Sequence, residues 1–195
     1  MTVKIFGGSQ MINSVCVYCG SREGSNLKYR SEAVLLGKSL ARENIELVYG
    51  GGGIGLMGIL ANAVLDNGGV VRGVFPSALE AKEFAHPELT EIIHVGSMHE
   101  RKSKMMELAE AFVVLPGGIG TMEEFFEVWT WNQIGILQKP VVLINVDNYY
   151  EKLIDFIEKM FTDGFISARH RDLLFIEKTS DRALKRILEY EKERG

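Results

Sequence analysis

Ala111-Phe112-Val113-Val114-Leu115 runs straight into Pro116-Gly117-Gly118-Ile119-Gly120-Thr121-Met122-Glu123-Glu124, and this junction decides how the chain is read. Five apolar residues without alternation predict a strand buried on both faces, as in a parallel sheet. Phe125-Phe126-Glu127-Val128-Trp129 continues as a helix. A strand that turns through glycines onto a helix N-terminus points backbone N–H groups and the positive end of the helix dipole at one spot, which suits a phosphate. The two carboxylates in the first turns of that helix are the unusual part. An anion cradle alone has no use for them, whereas a phosphorylated substrate undergoing chemistry does.

Outward from this junction, strands and helices alternate. Strands are predicted at 15–18, 45–49, 70–75, 92–95, 111–115, 141–145 and 173–176. Helices are predicted at 29–43, 57–66, 99–110, 121–137, 149–163 and 180–192, with Ala33, Leu36, Leu40 and Ala41 giving the first its apolar face. Residues 78–90 and 167–172 read as polar loops. The alternation predicts an α/β fold, Rossmann-like and doubly wound, with a mostly parallel sheet flanked by helices and ligands at the carboxyl ends of the strands. Trp129, Trp131 and Ile134 on one long helix suggest a dimer surface.

At 195 residues the chain suits one nucleotide-binding α/β domain, 1–195, with a single core. A formal net charge of −4 gives no basic field to recruit nucleic acid or acidic membrane. No apolar run approaches the ~20 residues of a membrane span, and no signal peptide opens the chain, so a cytoplasmic protein is expected. Met11-Ile12-Asn13-Ser14 reads as a natural start, which would make residues 1–10 an N-terminal extension. Cys16 and Cys19 form a C-x-x-C, but within a strand rather than at the helix N-terminus where a reactive thiol is found. With no second pair a zinc site is not expected, and both read as small buried residues.

A second glycine turn, Gly50-Gly51-Gly52-Gly53-Ile54-Gly55-Leu56-Met57-Gly58, contains Gly53-x-Gly55-x-x-Gly58, a literal dinucleotide fingerprint. The acid expected at the end of the next strand is missing, since that strand ends Val74-Phe75-Pro76-Ser77. Tight strand-to-helix packing beside a small ligand is the plainer reading, with an NAD-dependent oxidoreductase as its rival. In His99-Glu100-Arg101-Lys102-Ser103-Lys104, cations crowd a helix start and oppose its dipole. Such local disfavour marks candidate functional residues, Arg101 above all. Of Glu123 and Glu124, adjacent on a helix and ~100° apart, one can face a ligand while the other faces elsewhere.

Glu100-Arg101-Lys102 followed by Pro116 to Glu124 resembles the paired signature of the Lonely Guy family, cytokinin riboside 5′-monophosphate phosphoribohydrolases. The resemblance runs from Val15 to about Leu188. It takes in Cys19-Gly20-Ser21, Tyr49-Gly50-Gly51-Gly52, Glu127-Val128-Trp129-Thr130-Trp131, Lys139-Pro140 and Asp163-Gly164-Phe165-Ile166. It implies a Rossmann-like fold, a homodimer or larger assembly, and hydrolysis of the N-glycosidic bond of N6-modified adenosine 5′-monophosphates without metal or cofactor, giving free base and ribose 5-phosphate. Arg101 and Glu124 fall on the family's essential positions. Substrate contacts are implied at Glu83, Lys102, Gly117, Gly118, Ile119, Gly120, Thr121, Met122, Glu123 and Thr130, although Phe84-Ala85-His86 beside Glu83 departs from the family pattern. On this reading Glu124 stabilises an oxocarbenium-like ribose and activates water, and Glu123 holds ribose hydroxyls. Arg101 meets either the departing base or the phosphate. Older naming calls such proteins possible lysine decarboxylases, yet no Schiff-base lysine motif is evident. A nucleotide or molybdenum-cofactor carrier without turnover is the alternative.

Overall fold

The computed structural model describes residues 12–77 and 85–194. The expected extension at 1–10 and Glu83 lie outside them. Seven strands form one sheet: β1 (Ser14–Tyr18), β2 (Glu46–Tyr49), β3 (Val71–Pro76), β4 (Glu91–Val95), β5 (Ala111–Val114), β6 (Val141–Ile144) and β7 (Leu174–Glu177). Their order is β4-β3-β2-β1-β5-β6-β7, and every ladder is parallel. The helices are α1 (Leu27–Arg42), α2 (Gly55–Leu65), α3 (Met98–Leu108), α4 (Ile119–Gln133), α5 (Glu151–Thr162), α6 (Ala168–Arg171) and α7 (Ser180–Arg194).

The two central strands explain the apolar runs in the sequence. β1 and β5 pair along Val15–Ala111 to Tyr18–Val114, and every residue of both is buried. Side chains on one sheet face pack against α1, α2 and α7, with Leu36, Leu40, Leu60 and Leu184 among them. The other face packs against α3, α4 and α5 through Met105, Phe125, Val128 and Ile157. Strand order reverses between β1 and β5, so the loops leaving their carboxyl ends splay apart and leave a crevice there.

Two details differ from the sequence reading. Trp129 belongs to the core: its indole stacks on Phe125 at 5.7 Å and its Nε1–H donates to the His170 carbonyl at 3.1 Å. It is therefore not part of an exposed surface, unlike Ile134 and Ile136, each 60% exposed. Within 167–172, the side chain of Ser167 caps a single helical turn, α6, by accepting from His170 N–H.

Helices α1 and α2 approach closely because Gly37 has no side chain: a Cβ there would lie 2.7 Å from Ala63 Cβ and 2.9 Å from the Leu60 carbonyl oxygen. Gly37→Val should overpack this contact by about 1–3 kcal/mol. The expected result in thermal denaturation is a melting temperature lower by several degrees, and an unchanged midpoint would contradict the packing described.

Candidate active site

The arginine comes from α3. The Ser97 side chain caps this helix by accepting from Glu100 N–H at 3.1 Å, and the Glu100 carboxylate reaches back to Gly96 N–H at 2.7 Å. This reciprocal capping offsets the cost of starting a helix with cations. It turns Arg101 inward at 8% exposure. The Arg101 Nη2–H donates to the Gly50 carbonyl at 3.2 Å, while Nε–H is buried with no hydrogen-bond partner among the described residues. A Cβ at 50 would fall 1.6 Å from Nη2, so any side chain there would displace the guanidinium from this seat. The β2 glycine turn thus seats the guanidinium.

The acids come from α4. Glu124 is largely buried, its side chain 12% exposed, with its Oε1 4.0 Å from Arg101 Nη2, so the two groups are within electrostatic reach but beyond hydrogen-bonding distance. Burial is the main cause that lifts its carboxyl pKa to about 7; Arg101 opposes the rise, and Glu123 adds to it. Glu123 turns away from Glu124 to form an ion pair with Lys102, whose ammonium also bridges Glu127. Burial works against that ammonium, but the hydrogen bonds it donates to the two glutamates prevail and hold its pKa above the ordinary value.

The two glycine turns part company at the helix starts. Leu56 N–H, in the first turn of α2, is taken by the Gly20 carbonyl at 3.0 Å. Gly55 adopts φ +62°, and a Cβ on it would lie 2.3 Å from the Ser21 backbone; one on Gly58 would lie 2.2 Å from the Gly53 oxygen. The fingerprint glycines therefore serve internal packing. At α4 the N-cap is Gly118, and no side chain caps the helix. A Cβ on Gly118 or Gly120 would meet nothing within 4 Å, and Ile119 is 91% exposed. This is an open, uncapped helix N-terminus. Tyrosine hydroxyls hold its approach: Tyr149 donates to the Gly117 carbonyl at 2.6 Å and Tyr150 to Leu115 at 2.8 Å. A cleft of about 500 Å³ opens here, lined by Ser21, Arg22, Tyr29, Gly118, Ile119 and Tyr149 among others.

Arg101, Lys102, Glu123, Glu124 and the 117–121 turn thus meet at one end of the sheet. Gly117 packs against the buried Thr121, whose Oγ1 would lie 2.1 Å from a Cβ at 117, and Met122 is partly buried beneath the turn. Thr130 stands apart, exposed and about 9 Å further along α4 by helical rise. Glu127 and Tyr149 escaped the sequence reading. Glu127 sits four residues after Glu123, a spacing that places both on one helix face. No local signal marks Tyr149. Among the described residues no group of three or more His, Cys, Asp or Glu side chains is arranged to hold a metal ion.

Fold and site together define a Rossmann-type α/β protein with a largely buried acid–guanidinium pair near an uncapped helix N-terminus. Residues 57–187 match the family model described as "Possible lysine decarboxylase", and the chain belongs to that family. It is 47% identical over 175 residues to the cytokinin riboside 5′-monophosphate phosphoribohydrolase of Rhodococcoides fascians, covering 89% of this chain and 88% of that one. An Arabidopsis thaliana protein of the same name is 46% identical over 176 residues, covering 90% and 82%. The molybdenum cofactor binding protein of Rippkaea orientalis superposes with a TM-score of 0.69 at 18% identity, over 91% and 96% of the two chains. That likeness shows the fold alone.

A carboxyl group raised on folding costs stability once it ionises. With a folded pKa of about 7 against an ordinary 4.5, the penalty is absent below pH 4.5 and grows as pH rises through 7. Glu124→Gln should therefore be more stable than the parent at pH 8, by at most about 3 kcal/mol, and melt at a correspondingly higher temperature. The gain should vanish near pH 4. A difference independent of pH would mean that Glu124 is not held neutral by burial.

Proposed function

We propose that this chain hydrolyses the N-glycosidic bond of purine nucleoside 5′-monophosphates, N6-modified adenosine monophosphates among them, to free base and ribose 5-phosphate. The observation that carries the reading is Glu124, a largely buried acid with a pKa near 7 that lies 4.0 Å from Arg101 beside an uncapped helix N-terminus. The names of relatives at 46–47% identity support the same chemistry.

The 5′-phosphate rests on N–H groups of the Gly118–Thr121 turn. Binding energy gained there, away from the reacting bond, is available to the transition state, so a monophosphate outperforms its nucleoside. As the bond from C1′ to the base nitrogen breaks, positive charge builds on the ribose ring, as in other glycoside hydrolyses. Ionised Glu124 stabilises that charge and takes a proton from the water that adds to C1′; the departing nitrogen gains a proton. Arg101, with an unused Nε–H, serves either the leaving base or the phosphate. Glu123 and Lys102 face the ribose as a neutralised pair. The decarboxylase named by the family model fits less well, because a Schiff-base lysine must be neutral and Lys102 is held charged by two glutamates.

The protein is expected to act in the cytoplasm, where the free Cys16 and Cys19 suit a reducing compartment. No nucleic acid or membrane partner is proposed, and no described helix is long and apolar enough to cross a membrane. We read the chain as one domain that pairs as a homodimer through the exposed Ile134 and Ile136. Light scattering should then give twice the chain mass, and Ile134→Glu with Ile136→Glu should shift it toward the monomer. A parent protein that runs as a monomer would refute that surface.

Incubation with AMP and with N6-isopentenyladenosine monophosphate should release ribose 5-phosphate, with turnover rising through pH 7 as Glu124 ionises. Glu124→Gln should lose at least ~100-fold in turnover while still binding nucleotide. Binding without product from any nucleoside monophosphate would point to a carrier instead.

A further inference from the structure

A phosphomonoester carries close to two negative charges at neutral pH. The α4 terminus offers it oriented N–H groups but only about half a positive charge, and Glu123 and Glu124 lie within two turns. A cationic side chain is needed to balance the site, and most candidates nearby are already engaged. Arg101 keeps its Nε–H unpaired among the described residues, but the side chain is buried with Nη2 on the Gly50 carbonyl, outside the lining of the cleft beside Gly118, which suits it to the leaving base rather than the phosphate. Lys102 is bound by Glu123 and Glu127. Lys28 pairs with Asp147, and Arg30 pairs with Glu23 at 3.0 Å.

Arg22 differs from all of these. Among the described residues no carboxylate partners it, and it lines the cleft of about 500 Å³ that Gly118 and Ile119 line from the other side. Its backbone is firmly placed. Gly20 N–H donates to the Pro116 carbonyl at 3.1 Å, tying the β1 loop to the β5 loop. Gly55 packs against the Ser21–Arg22 peptide, where a Cβ would come within 2.5 Å of Arg22 N. The loop that carries Arg22 is thus fixed against the phosphate turn, while the guanidinium is free to swing over it.

We propose that Arg22 is the phosphate-recognising side chain of this protein and sets its preference for nucleoside 5′-monophosphates over nucleosides. The inference rests on the reading above that a nucleotide occupies the Gly118–Thr121 turn. A guanidinium suits the task because its planar fork donates two parallel hydrogen bonds to phosphate oxygens.

Isothermal titration of AMP and adenosine into the parent, Arg22→Gln and Arg30→Gln tests it without depending on turnover. Arg22→Gln should weaken AMP about 10- to 100-fold, the range for charge-assisted hydrogen bonds, and leave adenosine unchanged. Arg30→Gln, whose arginine pairs with the cleft residue Glu23 without lining the cleft itself, should bind AMP as the parent does. Parent-like AMP affinity in Arg22→Gln would overturn the proposal, as would an equal loss for AMP and adenosine or an equal effect of Arg30→Gln. A parent protein that binds AMP but releases no ribose 5-phosphate would sink the hydrolase reading and leave this one standing. A parent that binds no AMP would sink both.

Discussion

Burial of the Glu124 carboxyl is the constraint around which this end of the molecule is organised. A carboxylate taken out of water is costly unless its charge is met or its proton kept, and here both happen in part. Arg101 stands close enough to favour the ion but too far to hydrogen-bond it, so the carboxyl sits between its two protonation states near neutrality. That balance needs the guanidinium to stay where it is. It does so because the glycine at 50 leaves room and its carbonyl accepts from Nη2, and because the capped start of α3 aims the side chain inward. The Lys102 bridge to Glu123 and Glu127 completes the arrangement. Without it, two more carboxylates would push the Glu124 proton further from release.

The two glycine-rich turns show how one sequence pattern serves opposite ends. In the β2 turn, glycines let backbone meet backbone, and the helix that follows has its free N–H taken by a neighbouring loop. In the β5 turn, glycines leave the approach clear, and the helix that follows keeps its donors. Tyr149 and Tyr150 then pin the carbonyls on the far side of that turn, so the N–H groups cannot rotate away. Rigidity on one side and emptiness on the other leave the helix donors fixed and accessible, the arrangement on which the proposed phosphate contact relies.

Much of this was legible in the sequence, for physical reasons. Strands buried on both faces have unbroken apolar runs, so β1, β5 and β6 announced themselves and with them the doubly wound sheet. Cations at a helix start are locally unfavourable, which is why Arg101 stood out, whereas of the two acids after the glycine turn only the family resemblance singled out Glu124. What stayed hidden depends on distant pairs. No local pattern shows that Lys102 will bond to residues 21 and 25 positions later, or that Tyr149 will reach back to Gly117. Trp129 was read as part of a dimer surface because an aromatic within a long helix looks the same whether its partner is another chain or Phe125. The spacing of Gly53, Gly55 and Gly58 could not reveal that the room they leave is already filled.

Cys16 and Cys19 lie at the middle of the sheet, on and just past its central strand, and burial drives both thiols well above their ordinary pKa. Cys16, fully buried and paired with Val48 on one side and Phe112 on the other, can meet an alkylating reagent only when β1 parts from β2 and β5. Its modification rate is therefore a built-in clock for opening of the sheet, while Cys19, beside the cleft loop, can report looser local motion.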